Sequence, residues 1–439
     1  MKHRQQSKRN IFFAFLILNS YFFIFSSRAA DAPRQLTLQE AEQIALAQHP
    51  RISVANLAAL AARQAAKEAQ SAFLPNIYAS ATAVDVADPD NTRIAAGGLN
   101  NSLIYERDSE GVSISQLITD FGRTAELSKS AKLHTRAEEM NLEATREQIL
   151  LEVNHAYFSS LAAQSVLAVA EETVHSRQLI LQQIQTLATN KLKSDLDVSF
   201  ASVDLDQATL LLAKARNDLK AGFAVLATLL AERTPQTFVL ADEPLPANIT
   251  NDISGLIPEA LAQRPDLARL RYQRDAAKEF AKAENKLSYP TINAMGAAGV
   301  IPNGNEHLGP NYAAAGINLN LPLYTGGLYT ARQHEAEYQA RAADENLRDE
   351  EDTVIRDVQV TKLNLEYAHD RLALTQQLLQ NANEALELAR ARFKGGISSI
   401  IELSQAELNQ TAAQIGATDA RYDYQIQHSA LDFQLGRLR

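Results

Sequence analysis

Between Arg123 and Ala221 the chain contains neither proline nor glycine. Proline is absent over the wider span from Asp90 to Thr234, and again from Leu323 to the C-terminus. After Gly327 the only glycines are Gly395, Gly396, Gly416 and Gly436. Breaker-free stretches of this length, rich in Ala, Leu, Glu, Gln and Arg, leave little choice but long helices. Leu142, Ile149, Ala156, Ala163 and Ala170 recur at seven-residue steps, with Val153, Leu167, Val174 and Leu181 interleaved. A heptad seam with many alanines suits close helix pairing of the coiled-coil type. A helix from Gly122 to about Thr189 would extend about 100 Å, so an extended architecture is expected.

The breakers gather instead in residues 75–121 and 290–327, where the pattern changes period. Ile317, Leu319 and Leu321 alternate with Asn318 and Asn320, and Val112 and Ile114 with Ser113 and Ser115. Period-two alternation of apolar and small polar residues predicts strands with unlike faces. It fits a barrel wall with lipid on one side and water on the other.

The chain is also written twice. ALAQHP at 45–50 returns as ALAQRP at 260–265, and the same offset places Leu74-Pro75 on Tyr289-Pro290. After the strand segments the offset shortens by ten residues, so that Gly122 falls on Gly327 and Leu230 on Leu435. The length change therefore lies within the strand–loop–strand segments, where loops tolerate it. Each half reads as helix, strand, exposed loop, strand, very long helix, tight turn, helix. The first half is 31–231, with strands over about 76–119 and a turn at about 190–194. The second is 251–439, with strands over about 291–324 and a turn at about 394–399. Residues 232–250, with Pro235, Pro244 and Pro246, link them. Ser194 with Asp197, and Ser399 with Glu402, have capping-box spacing where helices restart. Glutamate is the better third residue, so the fuller box is expected at Ser399.

Residues 1–30 combine a basic start (Lys2, Arg4, Lys8, Arg9), an apolar run from Ile11 to Phe25, and small residues at Ser27, Ala29 and Ala30. That order predicts a cleaved signal peptide. A membrane-anchoring helix is the alternative, for which the apolar run is short. No later stretch approaches a membrane helix, so a mature chain that enters lipid must do so as a barrel. Without residues 1–30, 37 basic residues face 52 acidic ones, a net charge of −15. This argues against nucleic-acid binding. The chain has no cysteine. That removes disulfides, thiolate metal sites, a Cys nucleophile and a lipid-anchoring Cys.

No catalytic constellation is expected. The nine histidines are scattered, and none forms a His-x-x-x-His pair. His334-Glu335 lacks a partner at ligand spacing, and nucleophile elbow, P-loop and dinucleotide fingerprints are missing. Most carboxylates have Arg or Lys nearby, the pattern of solvated helix faces. No metal or cofactor is called for.

The doubled layout, the ALAQ(H/R)P segments, the LP and YP steps into strands, and DFGR at 120–123 with TGGL at 325–328 resemble TolC-type outer-membrane efflux proteins. The resemblance covers residues 36–436. It implies an α+β membrane protein with internal duplication, in which a long antiparallel coiled-coil α-barrel continues a transmembrane β-barrel. The barrel would have four strands per subunit and twelve in a homotrimer, with 232–250 in an equatorial belt. It implies an exit duct in outer-membrane lipid, served by an inner-membrane pump and a periplasmic adaptor (membrane fusion) protein, and gated by iris-like movement of the hairpin tips. The family's tip motif resembles V-G-L/T-x-x-I-x-D-V, against N-K-L-K-S-D-L-D-V at 190–198 and G-G-I-S-S-I-I-E-L at 395–403. Asp197 and Glu402 then fall on acidic positions of the periplasmic aperture. Asn190, Lys191, Leu192, Gly395, Gly396 and Ile397 fall on the turns that meet adaptor hairpins. Lys191 replaces a glycine, so Asn190 is expected to supply the left-handed residue. Ser398 stands where an arginine often closes the gate and Gln405 where a second acid can line it, which implies a different closing network, with Lys193 a candidate.

The plainer readings stay open beside these. Asp197 and Glu402 could be helix caps only, and Gly395-Gly396 only a tight turn. The alternative for the whole chain is a soluble periplasmic coiled-coil adaptor or structural protein. It explains the leader and the helices but not two strand pairs set symmetrically between them. A periplasmic hydrolase with a helical body is a further alternative, disfavoured by the missing motifs.

Overall fold

The computed structural model describes residues 35–87, 93–96, 100–103, 106–233, 237–247, 252–304 and 306–438. The expected leader at 1–30 lies outside them. The first half runs β1 (Gln35–Leu36), α1 (Leu38–Gln48), α2 (Pro50–Ser71), β2 (Asn76–Val84), β3 (Arg93–Ala96), β4 (Asn100–Leu103), β5 (Arg107–Thr119), α3 (Arg123–Thr189) and α4 (Asp195–Leu229). After β6 (Val239–Leu240) the second half runs α5 (Ile253–Gln263), α6 (Pro265–Asn285), β7 (Thr291–Gly304), β8 (Asn311–Asn320), α7 (Leu328–Lys394) and α8 (Ile400–Gln434).

The long helices follow the breakers: α3 and α7 have 67 residues each, α4 and α8 have 35 each. Equal lengths mean that both hairpins reach equally far, about 100 Å for each long helix. Three expectations are corrected. The first helix of each half is two helices, because Pro50 and Pro265 open α2 and α6, and His49 and Arg264 before them take extended backbone near φ −65°, ψ 125°. A residue preceding proline is driven out of the helical region by the ring. The loop of the first strand pair carries a small hairpin, β3–β4. The last strand stops at Asn320 rather than 324, just before Pro322.

The main sheet is antiparallel, in the order β2-β5-β7-β8. Its register separates two faces. Ile77 opposes Ile114, Ile114 opposes Gly296 and Gly296 opposes Ala315; Ala294 and Ile292 oppose Ile317 and Leu319. The other face carries Asn76, Ser80, Ser113, Ser115, Asn293, Asn318 and Asn320. On β7 the apolar face from Ile292 to Val300 is about 26 Å long, or about 20 Å of height at the usual barrel tilt. β2 and β8 are exposed along almost their whole length and, among the described residues, present unpaired edges.

Nearer the sheet the helices lie side by side in the order α2, α3, α6, α7, matching the strands; away from it the order is α4, α3, α8, α7. The molecule is therefore a wall segment one element thick, with one free side along α2, β2 and α4 and the other along β8 and α7. At mid-length the segment 237–247 crosses the wall. The buried Tyr157 hydroxyl lies 2.9 Å from the Leu36 carbonyl and 2.7 Å from that of Ala241, fastening the parallel β1–β6 pair to α3. Gln425 donates to the Glu243 carbonyl at 3.1 Å and Arg421 pairs with Asp242 at 2.6 Å, fastening the segment to α8.

Candidate gate at the hairpin tips

Both tips close with the same backbone device. At the first, Leu192 N–H donates to the Leu187 carbonyl (2.9 Å) and Lys191 N–H to that of Ala188 (2.8 Å). At the second, Ile397 donates to Arg392 (2.9 Å) and Gly396 to Phe393 (3.1 Å). This is the Schellman pattern, which needs a left-handed residue after the helix. Gly396 supplies it at φ +73°, and Lys191 itself supplies it at φ +62°. Asn190, expected in that role, sits at φ −85°, and its side-chain amide donates to the Thr186 carbonyl at 2.9 Å.

The caps also reverse the expectation. Ser194 and Asp197 form the complete box: Asp197 N–H donates to Ser194 Oγ (3.2 Å), and Ser194 N–H and Oγ donate to Asp197 Oδ2 (2.9 and 2.8 Å). These bonds, the backbone one foremost, lower the Asp197 pKa, with Lys193 assisting. At the second tip Ser399 Oγ accepts from Glu402 N–H at 3.4 Å, but the Glu402 carboxylate turns to Arg392 Nε at 3.2 Å. Glutamate is long enough to reach the last turn of α7, and a charged partner there outcompetes an exposed backbone N–H.

Lys193 Nζ lies 4.6 Å from the centre of the Phe393 ring, a cation–π contact joining the two tips. Gln405 is exposed and donates to Asn409 at 2.9 Å, on its own helix. Leu192, Gly395, Gly396 and Ile397 are exposed at the ends of the turns, and Ser398 Oγ is buried without a partner.

Behind the tips lies a buried charge cluster that sequence reasoning did not single out. Arg177 of α3 pairs with Glu407 of α8 and lies 3.5 Å from Asp204 of α4. Arg390 of α7 reaches the other Glu407 oxygen at 3.4 Å, and Ser404 donates to Asp204. All four helices meet here. Arg177 and Glu407 are 7% and 4% exposed, so the pairing replaces water almost completely. Burial nonetheless raises the Glu407 pKa, outweighing the opposing pull of Arg177 and Arg390. A signal did exist: Arg177 stands one heptad step after Ala170 on the seam itself. Apolar packing of Ile184, Ala201, Leu386, Ile400 and Leu403 fills the space toward the tips. The arrangement holds two hairpins together by one aromatic–cation contact, an apolar layer and a charge cluster, with no metal-binding group of His, Asp or Glu among the described residues.

Comparison with known proteins agrees with this geometry. Residues 41–232 and 256–437 match the family profile described as outer membrane efflux protein. The chain is 27% identical over 391 residues to the outer membrane protein TolC of Vibrio cholerae, covering 86% of this chain and 85% of the relative. It is 22% identical over 356 residues to the cation efflux system protein CusC of Escherichia coli K12, covering 78% and 76%. Among solved structures, Vibrio cholerae VceC superposes with a TM-score of 0.78 at 18% identity, covering 91% of this chain and 96% of that one. The open-state channel MtrE of Neisseria gonorrhoeae gives 0.74 at 20%, covering 92% and 89%. With both repeats matched over nearly their full length, the chain belongs to the outer membrane efflux protein family and has the fold of its channel subunits.

Proposed function

We propose that three copies of this chain close into a tube that carries solutes from the periplasm across the outer membrane, and that it catalyses no reaction. The observation that carries this reading is the wall with two free sides. Among the described residues the β2 and β8 edges are unpaired, and an isolated edge in lipid is not tolerated. Exposed apolar residues line the same two sides: Leu196, Phe200, Val203 and Leu210 on α4, and Leu363, Tyr367, Leu374 and Leu378 on α7. Each set repeats at heptad-like spacing, so α4 of one copy can pack on α7 of the next. Head-to-tail joining of unlike sides generates a ring when the rotation closes, and three segments of four strands make twelve. Residues 1–30 act as the export signal, and 232–250 belong to a girdle around the tube.

The narrow end is at the tips. Asp197 and Glu402 present three acids each to the aperture, with Gln405, Ser398 and Lys193 beside them, and favour cations. The exposed turn residues Asn190, Lys191, Leu192, Gly395, Gly396 and Ile397 receive a periplasmic adaptor, through which an inner-membrane pump supplies energy. Mass by light scattering and heat-modifiable migration of the detergent-extracted protein test the assembly. A trimer is expected, and a monomer that stays soluble without detergent refutes it. For the aperture, Glu402→Gln should lower cation preference in planar bilayers; unchanged selectivity refutes a pore-lining role.

A further inference from the structure

The polar face of the sheet carries a tyrosine whose posture depends on two glycines. Cross-strand pairing sets Ser80, Gly111, Gly299 and Tyr312 in one row over β2, β5, β7 and β8, all on the face of the serines and asparagines. A Cβ on Gly111 would overlap Tyr312 Oη and come within 3.1 Å of Cζ; one on Gly299 would lie 2.6 Å from both atoms. The phenol therefore lies flat across two neighbouring strands, on backbone that only glycine leaves bare. Neither glycine needs a left-handed φ, so space and not conformational freedom explains them. The register irregularity between Asp108 and Glu110 adds to the crowding, since the Glu110 carbonyl would also overlap a Cβ on Gly299. Tyr312 is 38% exposed.

We propose that Gly111 and Gly299 form a seat that holds Tyr312 down against the lumen wall, and that this seat sets the calibre of the outer end of the channel. The inference rests on the channel reading above. A tyrosine without the seat would stand up from the wall by most of its own length. In a closed tube every copy contributes one, so the effect converges on the axis. Gly111 and Gly299 are thus positioning residues for the size limit of solutes, and Tyr312 is the group they position.

Gly111→Ala tests this most directly, because its nearest obstacle is the movable tip of the phenol; the Ala298 carbonyl follows at 2.9 Å. Trimers in planar bilayers would be probed with neutral polymers of graded size added from the outer side. Gly111→Ala is expected to exclude polymers that wild type admits and to lose conductance, and Gly111→Ala/Tyr312→Ala to recover the wild-type limit. A wild-type limit in the single variant overturns the proposal. If that variant forms no heat-modifiable trimer, Tyr312→Cys serves, since the chain has no cysteine of its own. Labelling by a charged, impermeant thiol reagent from outside supports a lumenal ring; labelling only by a lipid-partitioning maleimide overturns it. Wild type that forms no channel at all would bring down the channel reading, a result separate from an unchanged size limit.

Discussion

Removing the Arg177 side chain should loosen the hairpin tips more than any other single truncation near them. Arg177→Met keeps the stem that packs among the four helices and deletes the charge. Glu407, 4% exposed, would then keep only Arg390, at 3.4 Å and from a side chain that is 46% exposed. Asp204, now without Arg177 at 3.5 Å, would add a like charge. Removing one partner of a buried pair costs about 3–5 kcal/mol. With Arg390 retained, about 3 kcal/mol is expected, roughly 150-fold in the local opening equilibrium. Because burial already opposes the charge on Glu407, Arg177→Met/Glu407→Gln should recover at least about half of the loss. The assay is amide hydrogen exchange of residues 400–410 in the detergent-solubilised protein, which reads local opening. Exchange of Arg177→Met within about twofold of wild type would refute the reasoning, and so would a double variant whose losses simply add.

Lys191→Gly should lengthen the thermal half-life of the folded, detergent-solubilised protein. The residue holds φ +62°, a conformation costing about 1–2 kcal/mol for a non-glycine, against an unfolded-state entropy loss of about 0.4–1 kcal/mol. Asn190→Gly, at φ −85°, should give no gain, and equal half-lives for the two would contradict the assignment. Gly396→Ala should lose about 1 kcal/mol through φ alone, since nothing lies within 4 Å of the added methyl; unchanged denaturation refutes it. The Asp197 pKa is lowered by its bonds to Ser194. Its contribution to the α4 cap is present above the ordinary value of 3.8 and fades as pH falls through the lower folded value. Exchange of the first turn of α4 should rise in that acid range, and Asp197→Asn, which removes the titrating group, should abolish the pH dependence; an acid response that persists in Asp197→Asn counts against it.

Most of the architecture was legible because long helices depend on what is missing. Without Pro or Gly from Arg123 to Ala221, the segment can turn back only where a side chain accepts left-handed backbone, as Lys191 does. The strands were legible because one face of the sheet differs from the other, and β8 states this in the four alternating residues from Ile317 to Asn320. Partners that are distant in sequence were not. The Glu402 carboxylate is drawn off by Arg392, ten residues earlier, where the spacing rule sees only Ser399. The break at Arg264 was written in the sequence as X-Pro, yet the strong flanking helical pattern concealed it. Arg177 sat on the heptad seam, but only the fold puts Glu407 and Arg390 opposite it.

The duplication itself argues that the two hairpins have different duties. At three matched turns the first half holds a side chain in left-handed backbone where the second has glycine: Phe121 against Gly326, Lys191 against Gly396, Ala231 against Gly436. A change in either direction is stereochemically simple, so strain retained in one half alone means that the two halves have not been interchangeable. The charge cluster is equally one-sided. The positions matched to Arg177 and Glu407 are Ala382 and Ser202, which can hold no ion pair, so the cluster joins hairpin to hairpin once per chain. Arg177 anchors it from α3, the helix that also carries the α1–α2 arm, α6 and the crossing segment. Glu407 lies on α8, which at the tip packs on α7 and reaches the rest of the wall mainly through α3. Loss of the cluster would therefore free the α7–α8 tip from a wall that stays assembled, and movement at the tips should be confined to that hairpin. Distances between spin labels on residues 397 and 192 should widen in Arg177→Met while distances within the first hairpin stay fixed. Widening within the first hairpin as well would show that the whole tip region loosens, and an unchanged 397–192 distance would show that the hairpins move as one body.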